Sequence, residues 1–219
     1  MLLLRFVVSI NLLLSNSSAI INDITKLSKA GLASIAYFYF DFRDDDKKSR
    51  HNLLSSLLVQ LSTGSDAFCD ILFHLYVAHD NGARQASDSD LTRCLKQMLT
   101  QPDQGPVYLI IDALDECPDM SGVPSAREQV LDLVKELVNF QLPSLRICVT
   151  SRPEVDICDA LDSLTSQKVS LQDEGGQKKD IAYYVRSVVC SGSGKIMKRW
   201  RQEDKVEVIE TLSERADGM

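Results

Sequence analysis

VYLIIDALDEC, Val107 to Cys117, reads as a strand that ends in acid. Five consecutive apolar or aromatic residues, Val107 to Ile111, run directly into Asp112, with Asp115 and Glu116 one turn further on. A run that is apolar at every position, rather than at every second one, belongs to a strand buried on both faces, the condition of strands in a parallel sheet. In an open parallel sheet ligands bind at the carboxyl ends of the strands, so acids placed there are where chemistry is expected. A carboxylate so placed can hold a magnesium ion, mostly through the water shell of the ion, and a second acid nearby can orient or polarise an attacking water. The competing reading is a strand end whose acids only cap the following loop.

Downstream, strand and helix alternate: strand Val107 to Ile111, helix Ala126 to Phe140, strand Arg146 to Thr150, short helix Glu154 to Leu161, strand Lys168 to Leu171, helix Gln177 to Val189. Such alternation predicts an α/β fold, a parallel sheet with helices on both faces. The second of these strands ends in Thr150, Ser151, Arg152 and Pro153. Thr150 and Ser151 can hydrogen-bond phosphate oxygens or water, and Arg152 can reach a terminal phosphate as a charge-assisted donor. Upstream, a helix is expected over Ser18 to Ala30, stopped by Gly31, and an aromatic strand over Ser34 to Phe42. Helical patterns follow at Ser49 to Leu61, Asp66 to Ala78 and Asp88 to Leu99.

With these segments in order, the chain resembles the NACHT-type NTPase domain of fungal STAND proteins, the nephrocystin-like group of NLR-related signalling ATPases. The resemblance rests on YFYFDFRD (Tyr37 to Asp44), SRHNLLSSLLVQL (Ser49 to Leu61), VYLIIDALDEC, ICVTSRPE (Ile147 to Glu154) and QKKDIAYYV (Gln177 to Val185). It implies a P-loop NTPase core with Asp112 as the magnesium aspartate of Walker B. Asp115, Glu116 and Arg152 would be the catalytic set, with Arg152 the sensor-type arginine, and Thr150 and Ser151 would face the nucleotide. ATP or GTP with magnesium is the implied cofactor. Homo- or hetero-oligomers with related NACHT proteins are the implied partners, and the cytoplasm is the expected compartment.

A P-loop requires glycines whose backbone N–H groups cradle phosphate, then a lysine and a Ser/Thr, as in GxxxxGK[ST]. No such string occurs. The resemblance places it around Leu12 to Ser15, where the chain has Leu-Leu-Leu-Ser. Ser193-Gly194-Lys195 is no substitute, because Ile196 follows the lysine and Val189 stands where the first glycine is required. The expected domains are therefore 1–17, an atypical apolar segment in place of the P-loop; 18–190, the NTPase core; and 191–219, the start of a helical extension that the chain does not complete. The functional expectation is a partial nucleotide-binding domain impaired in ATP binding and hydrolysis, the alternative being a non-catalytic module that associates with full-length relatives.

Composition agrees. A hydrophobic fraction of 44% supports a sizeable core. A net charge of −7 and a pI near 5.0 exclude a general nucleic-acid-binding surface. Lys47 to Arg50 and Lys195 to Arg201 are mixed with acids and read as solvated helix ends. The six cysteines show neither CxxC nor zinc-site spacing and read as buried free thiols in a reducing compartment. Met1 to Leu14 is almost wholly apolar and too short for a membrane span; it reads as a core strand over Leu2 to Ile10, with a signal peptide through residues 1–19 as the alternative.

Overall fold

The computed structural model describes residues 15–102, 104–119, 124–164, 183, 185–190 and 200–215. The strands expected at Leu2 to Ile10 and Lys168 to Leu171 lie outside the described residues, as does most of the helix expected at Gln177 to Val189. The chain divides into two compact units, Met1–Val169 and Ser170–Met219.

In the first unit the order is α1 (Ser15–Lys29), β1 (Ser34–Tyr39), α2 (Arg50–Ser62), α3 (Asp66–Ala78), α4 (Asp88–Leu99), β2 (Val107–Asp112), α5 (Ala126–Asn139), β3 (Leu145–Val149) and α6 (Val155–Leu161). The three strands form a parallel sheet in the order β1-β2-β3, with Ala36 level with Leu109 and Leu109 level with Ile147. Both crossovers advance across the sheet in one direction, and right-handed crossovers of that kind place their helices on one face. On that face Ala36, Phe38, Val107, Leu109, Ile111, Leu145, Ile147 and Val149 are buried in a single core with leucines of α2, α4 and α5. The opposite face has lighter cover. There α1 packs against β1 and β2, burying Ile21, and Ile110 is buried outside the main core, while Tyr37 is exposed and Ile35, Tyr39, Tyr108 and Cys148 are half-buried.

Short polar signals set the helix starts. Ser49 caps α2 by accepting from the Asn52 N–H at 3.1 Å, and Ser87 with Asp90 and Ser125 with Glu128 form capping boxes on α4 and α5. Gly31, at φ +71, ends α1 in the left-handed conformation that lets the Leu32 N–H reach the Leu27 carbonyl at 3.0 Å. Two expected boundaries shift. The first helix begins at Ser15, three residues before the expected start at Ser18. The aromatic strand ends at Tyr39, because β2 ends at Asp112 and offers only one further bond, from the Phe40 N–H to the Asp112 carbonyl at 3.0 Å; Phe42 then turns out to solvent.

The outer edge of β1 is plugged by a side chain. Gln60 of α2 accepts from the Tyr37 N–H at 3.1 Å and donates to the Tyr37 carbonyl at 2.7 Å, supplying the donor and acceptor that a further strand would bring.

The second unit contains helical residues at 185–190 and α7 (Gln202–Arg215), an acidic-start helix within the tail read as helical from the sequence.

The cysteines are free, but they are not all buried as the sequence reading expects. Burial pushes the thiols of Cys94 and Cys148 up to about 11 and that of Cys117 up to about 12, so at pH 8 they stay protonated and poorly nucleophilic. Cys69 and Cys190 are exposed. Timed alkylation of the native protein at pH 8 with peptide mapping is expected to label Cys69 and Cys190 well before Cys94, Cys117 and Cys148, and the order should vanish in denaturant.

Candidate functional site

The carboxyl ends of β2 and β3 lie side by side, and the hydrogen bonds between them continue past the last strand residues. The Thr150 N–H donates to the Ile111 carbonyl at 2.9 Å and the Leu114 N–H to the Thr150 carbonyl at 3.0 Å. This brings together Asp112 and Thr150, residues 38 positions apart. The Thr150 hydroxyl donates to Asp112 Oδ1 and accepts from the Ala113 N–H at 3.0 Å. Both residues are buried. A carboxylate withdrawn from water is costly unless hydrogen-bonded, and the threonine hydroxyl supplies one such bond. The negative charge on Asp112 also reaches Tyr39, whose phenol is held above its ordinary range, first by burial and then by Asp112.

Ala113 takes a left-handed conformation, φ 55 and ψ 47, which costs a non-glycine residue about 1 kcal/mol or more. That kink sends Leu114–Glu116 into a single 3-10 turn anchored by the fully buried Leu114. The two acids on the turn are both engaged. Asp115 Oδ1 accepts from the Arg152 N–H at 3.0 Å, and Asp115 Oδ2 stands 3.5 Å from Arg152 Nε. Glu116 Oε2 accepts from the Phe42 N–H at 3.4 Å, tying the turn to the loop after β1. The Ser151 hydroxyl donates to the Arg152 carbonyl, within its own loop.

Every residue singled out in the sequence thus lies at one end of the sheet, but in different employment. Asp112 and Thr150 form one buried pair, Asp115 and Arg152 form an ion pair joining two loops, Glu116 holds a third loop, and Ser151 closes its own turn.

One residue was missed. Arg127, on α5, donates from Nη2 to the Asp115 carbonyl at 2.7 Å and from Nε to the Cys117 carbonyl at 3.0 Å, and its Nη1 pairs with Asp156 Oδ2 of α6 at 3.2 Å. Its side chain is only 12% exposed. The one available signal was its place: a cation in the first turn of a helix opposes the macrodipole and calls for a partner elsewhere.

The donor set suits magnesium in part. Among the described residues no group of three or more His, Cys, Asp or Glu side chains is arranged to hold a metal ion. One strand-end carboxylate beside a hydroxyl fits an ion that keeps most of its ligands from water and substrate phosphates, which is how magnesium is commonly held. Of Leu12 to Ser15, the stretch where the resemblance leads one to expect the phosphate loop, Leu12 to Leu14 lie outside the described residues, and the stretch carries neither glycine nor lysine.

Fold and site together define a parallel α/β domain whose polar residues converge at the carboxyl ends of two adjacent strands. The family model described as nephrocystin 3, N-terminal, matches residues 16–152, well over half of the chain, and the chain belongs to that family. Comparison with the curated proteins gives no match. Among solved structures the chain is similar to one in the structure of Drosophila ORC bound to AT-rich DNA and Cdc6, with 11% identity and a TM-score of 0.26, covering 93% of this chain and 79% of that one. The structure of Drosophila ORC bound to GC-rich DNA and Cdc6 gives 11% identity and the same TM-score, covering 93% and 84%. At those scores neither likeness bears on fold or function. No helix among the described residues is long and apolar enough to cross a membrane.

Arg127 makes charge-assisted bonds to two carbonyls and one carboxylate from a nearly buried position. Arg127→Ala is expected to lower stability by about 3 kcal/mol, because it strands those acceptors. Arg127→Lys should recover less than half, since an ammonium cannot reproduce the fork. Urea denaturation of the three proteins measures both differences.

Proposed function

We propose that this chain is part of the nucleotide-binding domain of a signalling NTPase of the NACHT or STAND kind, keeping the magnesium-facing half of the site and lacking the phosphate-gripping half. The observation that carries this reading is the buried Asp112–Thr150 pair at the carboxyl ends of adjacent parallel strands, where phosphate-bearing ligands of α/β sheets are held. In this reading Asp112 is the Walker B aspartate facing magnesium, and Thr150 orients its carboxylate. Asp115, Glu116 and Arg152 are the acids and sensor arginine implied by the family resemblance. Magnesium, when bound, would neutralise phosphate charge. The remaining work on the nucleotide falls to the P-loop, and no GxxxxGK[ST] string stands in the 219 residues. Each absent charge-assisted hydrogen bond removes about 1.5–3 kcal/mol of phosphate binding, so two or three of them weaken affinity by several orders of magnitude.

A second reading, a non-catalytic module that pairs with full-length relatives, is favoured by the employment of Asp115, both of whose oxygens face Arg152. An acid committed to bracing a loop is poorly placed to take a proton from water.

Isothermal titration of the purified chain with Mg-ATP and Mg-GTP is expected to show dissociation constants weaker than about 1 mM. Micromolar affinity that is lost in Asp112→Asn would overturn the impairment and leave the site assignment standing. Micromolar affinity unchanged by Asp112→Asn would overturn both. Co-purification with a full-length relative, absent any nucleotide affinity, would favour the second reading.

A further inference from the structure

The third helix is more apolar than its burial requires. Of its thirteen residues only Phe68 is fully buried, while Ile71, Leu72 and Leu75 are partly buried against the core. The opposite side carries Cys69, Phe73, Tyr76 and Val77, spaced i, i+4, i+7 and i+8, which places them along one stripe. Phe73 is 59% exposed, Tyr76 49% and Val77 47%. The two rings lie 6.4 Å apart and stack with an interplanar angle of 28°. The solvent face of a surface helix is ordinarily polar, and large apolar side chains grouped on it mark a contact surface in a way that scattered ones do not.

Charge along α3 is graded. Asp66 and Asp70, both exposed, occupy its amino-terminal half. At the other end Arg84 folds back so that Nη2 donates to the Ala78 carbonyl at 3.0 Å, setting a cation on the helix terminus, with Asp80 just past the last turn.

We propose that this stripe is where a second copy of the chain docks, the two α3 helices lying antiparallel about a two-fold axis near Phe73. A two-fold contact must be complementary to itself, so each copy has to carry both halves of any charge pair. The antiparallel arrangement sets Asp66 and Asp70 of one copy toward Arg84 of the other, twice, and opposes the helix macrodipoles. A parallel arrangement would instead set Asp66 and Asp70 against their own copies at one end and Arg84 against Arg84 at the other. One helical stripe buries less than the ~800 Å² per partner of a standard stable interface, so the dimer is weak and concentration-dependent, in the micromolar range. The inference is independent of the nucleotide reading, since α3 contributes no residue to the strand-end site.

Sedimentation velocity of the full chain from about 1 to about 200 µM tests it. The wild-type chain should pass from monomer to dimer. Phe73→Glu and Val77→Glu, both at exposed positions, should raise the dissociation constant at least about tenfold while leaving circular dichroism and melting temperature unchanged. Arg84→Asp should also weaken the dimer, and adding Asp66→Lys and Asp70→Lys to it should restore association. A wild-type chain that stays monomeric throughout, as it would if a different protein or further chain covers the stripe, overturns the proposal. So does a dimer indifferent to Phe73→Glu, or one that the charge-reversed triple variant fails to recover.

Discussion

The hydrogen bonding of β2 to a neighbour on each side is the constraint on which the rest of the domain depends. β2 is the middle strand, so its backbone is paired on both edges, and its side chains at Leu109, Ile110 and Ile111 are buried whichever face they point to. A strand in that condition cannot slip by one residue without exchanging its two faces. Its end is therefore fixed in space, and with it the Asp112 carboxylate. The bonds that run beyond the strand, from Phe40, Thr150 and Leu114, carry this fixity into three loops. Asp112 is placed by the sheet and only adjusted by Thr150.

The loops need more than the sheet to hold them. Ala113 in a left-handed conformation is a local cost, and a turn of three residues has little internal hydrogen bonding of its own. Arg127 answers this by binding the carbonyls on either side of Glu116 from a buried position, and its third contact, to Asp156, ties α6 to the same point. Asp115 then reaches across to the backbone of Arg152. The acids of the DALDEC segment are as much part of the structure of this sheet end as of any chemistry performed there. The same bonds that position them limit their freedom to act as bases, which is why the two functional readings share one geometry and differ in affinity for a ligand.

The fold was legible in the sequence to the extent that each element carried its own signal. The bounds of α3 and α4 follow from helical periodicity, and β2 from its unbroken apolar run. Where an outcome depended on a partner strand, the sequence misled. Phe42 belongs to an aromatic run that reads as strand, yet it is exposed because its neighbour has already ended at Asp112. The site was half legible in the same sense. Acids after an apolar strand and a Thr-Ser-Arg-Pro after another are visible as strings, and their meeting follows from parallel pairing. That Asp115 spends both oxygens on Arg152, or that an arginine on α5 threads under the turn, depends on three segments arriving at one place, and no window of sequence contains that information.

Two exposed features of the domain are treated in opposite ways. Among the described residues the outer edge of β1 pairs with no further strand, the kind of feature that invites association with any extended chain, and at Tyr37 Gln60 blocks it by copying the donor and acceptor of a strand. The solvent face of α3 offers stacked aromatic rings, which no side chain among the described residues covers. A helix as apolar as α3 needs polar residues outward to be a neutral surface, and its charged groups instead gather toward its two ends, Asp66 and Asp70 at one and Arg84 with Asp80 at the other. That arrangement lowers indiscriminate sticking, since a partner must match the charge order as well as the apolar stripe, and an antiparallel copy of the same helix does so without any other surface having to be invoked.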